Sequence, residues 1–309
     1  MGQQPVREPD FFLVGASRAG TTSFWRYLVQ HPEIYMPPGS MAEKEPCHFC
    51  EVTPKWATAY RDRDNYLGLF SQAGDCRVIG EASTPYLVAP EVPGRIRAAY
   101  PDAKILVILR NPVDRAFSLY RYLCLIGAEW VSTFEKALLA ESSRRRDQRF
   151  KHSNPLWYAL YEYFHSGLYS AQIERYLSAF PEEQVKVILF DDLERDPLRV
   201  IQEVYGFLGV DRSFAPKVIR YNGSQFPFSV KLQYLLGRDL DRSAAGRYGR
   251  IRGPLFKANA RLGRLRPRSL DPRTRRRLRD AYRDDLTRLS ALINRPLDGW
   301  LTSCDSSVS

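Results

Sequence analysis

The chain of 309 residues contains no uninterrupted apolar run of roughly 18 to 20 residues, the length that a transmembrane helix needs. Its opening segment, MGQQPVREPD, lacks the apolar core of a secretory signal peptide. Histidine is scarce, with four in the chain, and the five cysteines are an odd number, which disfavours a disulfide framework. We therefore expect a cytoplasmic protein that has reduced thiols, no membrane span and no metal site.

Positive charge is concentrated near the C-terminal end. Residues 238–279 hold 15 Lys or Arg and 3 Asp, and this surplus accounts for the whole net charge of +11. The segment lacks the interleaved aromatic residues of a stacking platform, so nucleic acid is a less favoured partner. Two interpretations stay open: a basic lid or face for an anionic ligand, and a solvated surface in a chain with 37 Arg and 9 Lys.

Four short apolar runs, rich in β-branched and aromatic residues, predict buried parallel strands at 11–14, 77–80, 104–110 and 185–190. Helical patterns lie between or after them, at 20–30, 91–100, 113–125, 168–180 and 197–208. Alternation of strands and helices predicts an α/β fold of three layers, in which helices flank a central parallel sheet.

No internal repeat or low-complexity linker divides the chain, so we predict one domain over residues 1–309. Within it we expect flexibility at 1–10, a polar surface loop at 141–155 and an irregular extension at 223–270. That extension lies in a basic segment, 223–280, which we interpret as an extension or lid.

The first predicted strand is followed by GASRAGTTS, residues 15–23, and then by a helical pattern. This arrangement is typical of a phosphate-binding loop, in which amide groups at the helix N-terminus face an anion. The lysine of G-x-x-x-x-G-K-[ST] is replaced by Thr21, and the cation in the loop is Arg18. A capped glycine turn without a ligand is the alternative interpretation.

A second motif, RNPVDRAFS, follows the most hydrophobic predicted strand and places Arg110 at its carboxyl end. Asn111 can cap the next helix, Pro112 can begin it, and Ser118 lies about two turns along it. Ligands of open parallel sheets bind beyond the carboxyl ends of strands, so we expect Arg110 to face the same crevice as the loop. An ion pair between Arg110 and Asp114 is the alternative.

The two motifs together resemble the sulfotransferases that use 3′-phosphoadenosine-5′-phosphosulfate (PAPS), in a bacterial branch similar to the heparan sulfate and carbohydrate sulfotransferases. The resemblance extends through KEP, GEASTPYL, GLYSAQIERYL, FDDLERDP and FLGV. It implies a P-loop-like fold and transfer of a sulfuryl group to a hydroxyl of a carbohydrate or natural product. It also implies adenosine 3′,5′-bisphosphate as product and no required metal, because the sulfuryl group carries less charge than a γ-phosphoryl group.

The resemblance also implies roles for the residues of both motifs. The loop binds the 5′-phosphosulfate through Arg18, Ala19, Gly20, Thr21, Thr22 and Ser23. Arg110 and Ser118 bind the 3′-phosphate. Arg18 stands where the family usually has Lys, and since arginine is a poor proton donor we expect it to stabilise charge electrostatically rather than to act as a general acid.

The segment MAEKEPCHFC holds two candidates for the general base that deprotonates the acceptor hydroxyl. By resemblance to K-E-P-x-F-F segments the base is Glu45, with Lys44 beside it, while His48 stays open as an alternative. Residues that the resemblance places at the acceptor are Lys44, Glu81, Ser83, Tyr86 and Tyr169. The acceptor is a small molecule or glycan, and an anionic one fits the basic segment.

A P-loop nucleotide kinase or NTPase is the strongest rival interpretation. The run VKVILFDD resembles a Walker-B strand that ends in Asp191 and Asp192, which would hold magnesium. Thr21 in the position of the P-loop lysine argues against it. A nucleic-acid binder that uses the 238–279 segment is the second rival, and it predicts salt-sensitive binding that is independent of Arg110 and Ser118.

Overall fold

The computed structural model describes residues 7–51, 55–153, 158–218, 226–237, 249–263 and 269–302. The chain divides into two compact units. Unit 1 comprises Met1–Asn111, Tyr169–Tyr221 and Asp285–Arg295, and unit 2 comprises Pro112–Leu168, Asn222–Asp284 and Pro296–Ser309. A single domain over residues 1–309 stays a prediction.

Unit 1 contains a parallel sheet of five strands. In chain order these are β1 (Phe11–Leu13), β2 (Ile34–Tyr35), β3 (Val78–Ala82), β4 (Lys104–Leu109) and β5 (Val185–Leu189). Their order in the sheet is β2-β3-β1-β4-β5. Leu13 pairs with Ala82 on one side and Leu106 on the other, and Leu109 pairs with Leu189. The carboxyl ends of these strands therefore share one edge, where ligands of such sheets bind.

Helices follow or connect the strands. They are α1 (Thr21–Leu28), α2 (Met41–Lys44), α3 (Arg63–Gly68), α4 (Val92–Ala99), α5 (Pro112–Leu125), α6 (Phe134–Arg146), α7 (Gln148–Ser153), α8 (Ser170–Ala179), α9 (Phe190–Arg195), α10 (Pro197–Leu208), α11 (Val230–Gly237), α12 (Gly249–Leu262), α13 (Pro272–Leu292) and α14 (Asp298–Thr302). Short 3₁₀ helices lie at Lys55–Arg61, Thr84–Leu87, Tyr158–Tyr161, His165–Gly167 and Glu182–Gln184. None of the described helices combines the length and apolar character that a bilayer crossing requires.

The predicted α/β class and parallel sheet are confirmed. The side chains of Ile105 to Leu109 in β4 are fully buried, and burial of each stabilises the fold by roughly 1.5–3 kcal/mol. All five helical patterns correspond to helices, and Pro112 begins α5 as expected. The strand β2 was missed because two residues, Ile34 and Tyr35, carry no periodic signal. At the N-terminal side, Asp10 is hydrogen-bonded to Ile79 and Lys104, while residues 1–6 lie outside the described residues.

The predicted surface loop at 141–155 is wrong for the described residues, which continue α6 and form α7. The charged composition suggested a solvated loop, but the side chains of Glu141 and Arg144 are buried within unit 2. Arg144 donates two hydrogen bonds to the fully buried Glu129, at 2.6 and 2.8 Å. Thr133 caps α6 by accepting a hydrogen bond from the N–H of Lys136. The arginines in the last turn of α6 interact favourably with the negative end of the helix dipole.

The irregular extension predicted at 223–270 is also wrong where the structure describes it, because α11 and α12 lie there. These two helices were not predicted because polar side chains, which usually indicate a solvated segment, are buried between them. Gln233 is fully buried and donates to the Leu125 carbonyl at 2.8 Å, and Asn259 donates to Gln233 at 2.6 Å. Residues 223–225, 238–248 and 264–268 of the predicted basic lid lie outside the described residues.

Candidate active site

The loop between β1 and α1 is built by its glycines. Gly15 and Gly20 have φ angles of 141° and 90°, in the region that favours glycine. A Cβ atom on Gly20 would lie 2.7 Å from Cε2 of Phe190. The Ala16 N–H donates to the Ile108 carbonyl at 2.7 Å, which ties the loop to β4. Both glycines are therefore required by the backbone of the loop itself.

The N-terminus of α1 presents amide donors. The helix follows Gly20, which provides no side-chain cap. Within the described ranges, no backbone acceptor takes the N–H groups of Thr21, Thr22 and Ser23. Free N–H groups at a helix N-terminus, together with the helix dipole, attract an anion. The predicted phosphate loop thus has the donors that a phosphate or sulfate needs.

Two arginines lie at this loop. Arg18 has a φ angle of 68°, a left-handed conformation that costs a non-glycine residue about 1–2 kcal/mol. Its carbonyl oxygen lies 3.4 Å from Nη1 of Arg110, which donates to it. The structure thus brings Arg110, at the end of β4, to the loop at the end of β1. Among the described residues no carboxylate pairs with Arg110, whereas Asp114, the alternative partner, pairs with Arg275 at 2.8 Å.

Phe190, which the sequence analysis did not select, holds both of these features in place. Its ring centroid lies 4.7 Å from the guanidinium carbon of Arg110, a cation–π contact, and its edge lies against Gly20. The residue begins α9 at the carboxyl end of β5. Its place at the end of a predicted strand was the available signal, since two other strands of the same sheet, β1 and β4, are followed by the two motifs.

Lys44 and Glu45 form a buried pair beside the loop. Nζ of Lys44 lies 3.1 Å from Oε1 of Glu45 and 3.4 Å from Oγ1 of Thr22, to which it donates. The other carboxylate oxygen of Glu45 accepts the hydroxyl of Thr84 at 2.7 Å and its N–H at 3.3 Å. Lys44 and Glu45 are 6% and 8% exposed, so water screens their interaction only slightly. This cluster fixes the Glu45 carboxylate next to a residue of the phosphate loop.

Glu81, at the end of β3, is a second buried carboxylate. It is fully buried and accepts the hydroxyls of Ser83 at 2.6 Å and Tyr66 at 2.7 Å. Burial raises the pKa of Glu81 to about 7, although these hydrogen bonds oppose the rise. Ser83 in turn accepts the N–H of Cys47 at 3.0 Å. Glu81 and Ser83 therefore support the segment that carries Glu45.

His48 lies on the ring of Tyr66, with centroids 4.1 Å apart and planes at 8°. Its Nδ1 lies 2.6 Å from the Tyr60 carbonyl and donates to it, which leaves Nε2 as the nitrogen able to accept a proton. Burial lowers the pKa of His48, so the neutral ring is favoured near pH 7. His48 is thus held apart from the hydrogen bonds that orient Glu45.

The remaining predicted site residues are mostly buried. Ala19 and the rings of Tyr86 and Tyr169 are fully enclosed, so contact of either ring with a substrate would require neighbouring groups to move. The Tyr169 hydroxyl donates to the Arg110 carbonyl at 3.0 Å, and the Tyr86 hydroxyl accepts the Phe49 N–H at 3.3 Å. Ser118 lies in α5 of unit 2 and is 6% exposed.

The aspartates of the rival Walker-B interpretation lie in the first turn of α9. Oδ2 of Asp192 accepts a hydrogen bond from Arg295 at 2.7 Å, and its Oδ1 lies 3.8 Å from Arg195. Both oxygens of Asp192 thus have cationic partners within unit 1. This pairing stabilises α9, and with it the position of Phe190.

The described residues of unit 1 therefore combine an anion-binding loop, two arginines and a carboxylate held by a lysine and a threonine. Such a set can bind a doubly charged phosphate or sulfate group and accept a proton from a hydroxyl brought next to it. Thr22 and Lys44 connect the two functions through the contact at 3.4 Å.

Comparison with known proteins agrees with this chemistry. Residues 8–229 match the Sulfotransferase domain family. A solved sulfotransferase from Alicyclobacillus acidocaldarius is 35% identical, with a TM-score of 0.71 over 95% of this chain and 99% of that one.

Two curated relatives act on heparan sulfate by name. The bifunctional heparan sulfate N-deacetylase/N-sulfotransferase 3 of Homo sapiens is 28% identical, over 96% of this chain and 31% of that protein. The heparan sulfate glucosamine 3-O-sulfotransferase 6 of Mus musculus is 27% identical, over 74% of this chain and 60% of that protein. The chain thus spans less than two thirds of the length of either relative. Since the family match covers well over half of the chain, the protein belongs to the sulfotransferase family and has a P-loop-like α/β fold.

Proposed function

We propose that the protein transfers the sulfuryl group of PAPS to a hydroxyl group of a carbohydrate or small natural product, in line and with Glu45 as general base. One observation carries the proposal: Lys44 lies within 3.4 Å of Thr22 in the phosphate loop and within 3.1 Å of Glu45. A single buried cation thus links the anion-binding loop to a carboxylate. Such proximity is what an in-line transfer between a bound donor and a deprotonated acceptor needs.

The donor, when bound, supplies the activated sulfuryl group. The residues of the loop fit its anionic 5′ side, because the N–H groups of Thr21, Thr22 and Ser23 are available and Arg18 adds a charge that is permanent. Arg18 stabilises the negative charge that develops on the leaving group. Arg110 and Ser118 bind the 3′-phosphate, an assignment supported by the motif RNPVDRAFS and by the absence of a carboxylate partner of Arg110 among the described residues.

Glu45 takes the proton of the acceptor hydroxyl. Thr84 and Lys44 each bind one of its carboxylate oxygens, so the group is oriented before the acceptor arrives. Preorganised groups lose little entropy in the transition state. A carbohydrate acceptor is supported by the names of the two heparan sulfate relatives, although the chain covers only part of each. Lys44, Glu81, Ser83, Tyr86 and Tyr169 remain the candidates for residues near the acceptor.

The donor site is tested by calorimetric titration with adenosine 3′,5′-bisphosphate and with ATP, each in EDTA and then in magnesium. We expect tight, metal-independent binding of the bisphosphate, and a loss of that binding in Arg110→Ala. Arg77→Ala is the matched control, because Arg77 is an exposed arginine of unit 1 that lies 3.9 Å from Glu33. Preference for ATP with magnesium would replace the proposal by a kinase that uses Asp191 and Asp192.

A further inference from the structure

Unit 2 contains a cavity of about 460 Å³. Charged side chains of α6, α7 and the segment 158–165 line it. Its polar lining includes Ser142, Arg145, Arg146, Lys151, Glu162 and His165. We call it the basic cavity. Three of these side chains are cationic and one is a carboxylate, so the cavity carries a surplus of positive charge.

Among the described residues that line the basic cavity, the carboxylate of Glu162 pairs with one of the three cations. Oε1 of Glu162 lies 3.2 Å from Nε of Arg145. In the part of the chain that the structure describes, no ion pair involves Arg146 or Lys151. The ammonium group of Lys151 lies 5.0 Å from the ring centroid of Tyr158, which holds it at the cavity. Two cations thus remain for an anionic ligand.

The histidine of this cavity is oriented by a buried carboxylate. Glu141 is 2% exposed and accepts the N–H groups of Phe164 and His165 at 2.9 Å. Its Oε1 also accepts a hydrogen bond from Nδ1 of His165 at 2.6 Å. This bond fixes the ring and leaves Nε2 as the nitrogen that can contact a ligand.

A second cavity of unit 2, of about 290 Å³, has a different lining. We call it the apolar cavity. Its apolar residues come from α6, α13 and the segment before α8: Leu138, Leu139, Phe164, Leu278 and Ala281. Leu139 is 71% exposed, and Phe164 stacks on Tyr282 with centroids 4.6 Å apart. Ser142 and His165 line both cavities, so the two meet at these residues.

We propose that unit 2 binds a small amphiphilic anion, an alkyl phosphate or sulfate ester, with its charged group in the basic cavity and its alkyl chain in the apolar cavity. The volumes fall in or near the range of about 300–1,000 Å³ that is typical of small-molecule sites. Arginine and lysine bind phosphate and sulfate, and removal of an alkyl chain from water into an apolar cavity lowers the free energy. Ser142 and His165 then lie where the charged group joins the chain. This inference does not depend on the proposed donor site.

The test is calorimetric titration of the full chain with octyl phosphate below its micelle concentration, with inorganic phosphate and with octyl glucoside. We expect octyl phosphate to bind at least about tenfold more tightly than either comparison ligand, because only it uses both cavities. The double variant Arg146→Ala/Lys151→Ala should weaken its binding about tenfold. Leu139→Ser should weaken octyl phosphate about fivefold and leave inorganic phosphate unchanged.

The matched control is Lys136→Ala/Arg276→Ala, which removes two exposed cations from α6 and α13 that line neither cavity. It should leave the affinity for octyl phosphate unchanged. Equal weakening by this control, or equal binding of octyl glucoside and octyl phosphate, overturns the proposal. Loss of octyl phosphate binding in Arg110→Ala but not in Arg146→Ala/Lys151→Ala would assign the ligand to the phosphate loop and would also overturn it.

Discussion

Glu45 and Glu81 are two buried carboxylates of unit 1 that receive hydrogen bonds from different kinds of donors. Glu45 has a cation, Lys44, on one oxygen and the hydroxyl of Thr84 on the other. Glu81 receives the neutral hydroxyls of Ser83 and Tyr66, and it is fully buried. Glu45 directly follows the short helix α2, whereas Glu81 lies near the end of β3.

The difference shows how one unit gives two buried carboxylates different hydrogen-bond partners. Lys44 compensates the charge of Glu45, and a charged carboxylate is what a general base requires. Burial without a cation raises the pKa of Glu81 to about 7, so Glu81 retains its proton over much of the acidic range. Glu81 then acts as a structural hydrogen-bonding group, whereas Glu45 is the group to which we assign the proposed proton transfer.

The largest effect is expected from Glu45→Gln, which removes the proposed base but keeps the size of the side chain. Turnover should fall about 10²- to 10⁴-fold, the usual contribution of a general base. Turnover is measured as release of adenosine 3′,5′-bisphosphate with an acceptor chosen from a panel of glycans and phenols. Binding of the bisphosphate, measured by calorimetry, should remain at the wild-type level.

His48→Asn is the control for this prediction, because His48 is the alternative base and its Nδ1 bond to Tyr60 can be kept by the amide. It should retain wild-type turnover. If His48→Asn loses turnover and Glu45→Gln does not, the assignment of the base is reversed.

A smaller effect is expected from Lys44→Met, which removes the cation that distinguishes the two sites. Glu45 would then be a buried charge without its partner, and such a change costs about 3–5 kcal/mol in the free energy of unfolding. Urea denaturation measures this loss. The double variant Lys44→Met/Glu45→Gln removes both charges and should recover most of the stability. If the double variant is as unstable as Lys44→Met, the loss of stability does not come from the unpaired charge of Glu45.

The smallest effect is expected from Glu81→Gln, and it depends on pH. Since the pKa of Glu81 rises from 4.5 to about 7 on folding, the proton stabilises the folded state below pH 4.5, and this contribution is lost as the pH rises through 7. The wild type should therefore lose up to about 3 kcal/mol of unfolding free energy between these values. Glutamine cannot titrate, so the unfolding free energy of the variant should lack this part of the dependence on pH.

The measurement is urea denaturation at a series of pH values between 4.5 and 8. Glu182→Gln, a change at an exposed carboxylate of unit 1, should keep the wild-type slope. An identical slope in Glu81→Gln and the wild type would show that Glu81 titrates in the folded protein as it does in the unfolded chain.

Much of the fold and part of the site followed from local patterns. The strands β1, β3, β4 and β5 were predicted because each is a continuous apolar run, and Pro112 marked the start of α5. The two motifs predicted that Arg110 would lie at the phosphate loop, and the bond to the Arg18 carbonyl agrees with this. The short strand β2 and the helices between 141 and 153 were not predicted, because pairing and buried ion pairs create them.

The sequence alone determines the local features, because a glycine loop, a proline at a helix start or an apolar strand depends on few distant neighbours. The folded structure determines the others. Three features belong to this second group: the order of strands in the sheet, the ring of Phe190 between Gly20 and Arg110, and the raised pKa of Glu81. Each of these depends on contacts between residues that are distant in the chain. Desolvation and cation–π contacts arise from such neighbours, so only the folded chain determines that the pKa of Glu81 is raised and that the cations of unit 2 lie close together.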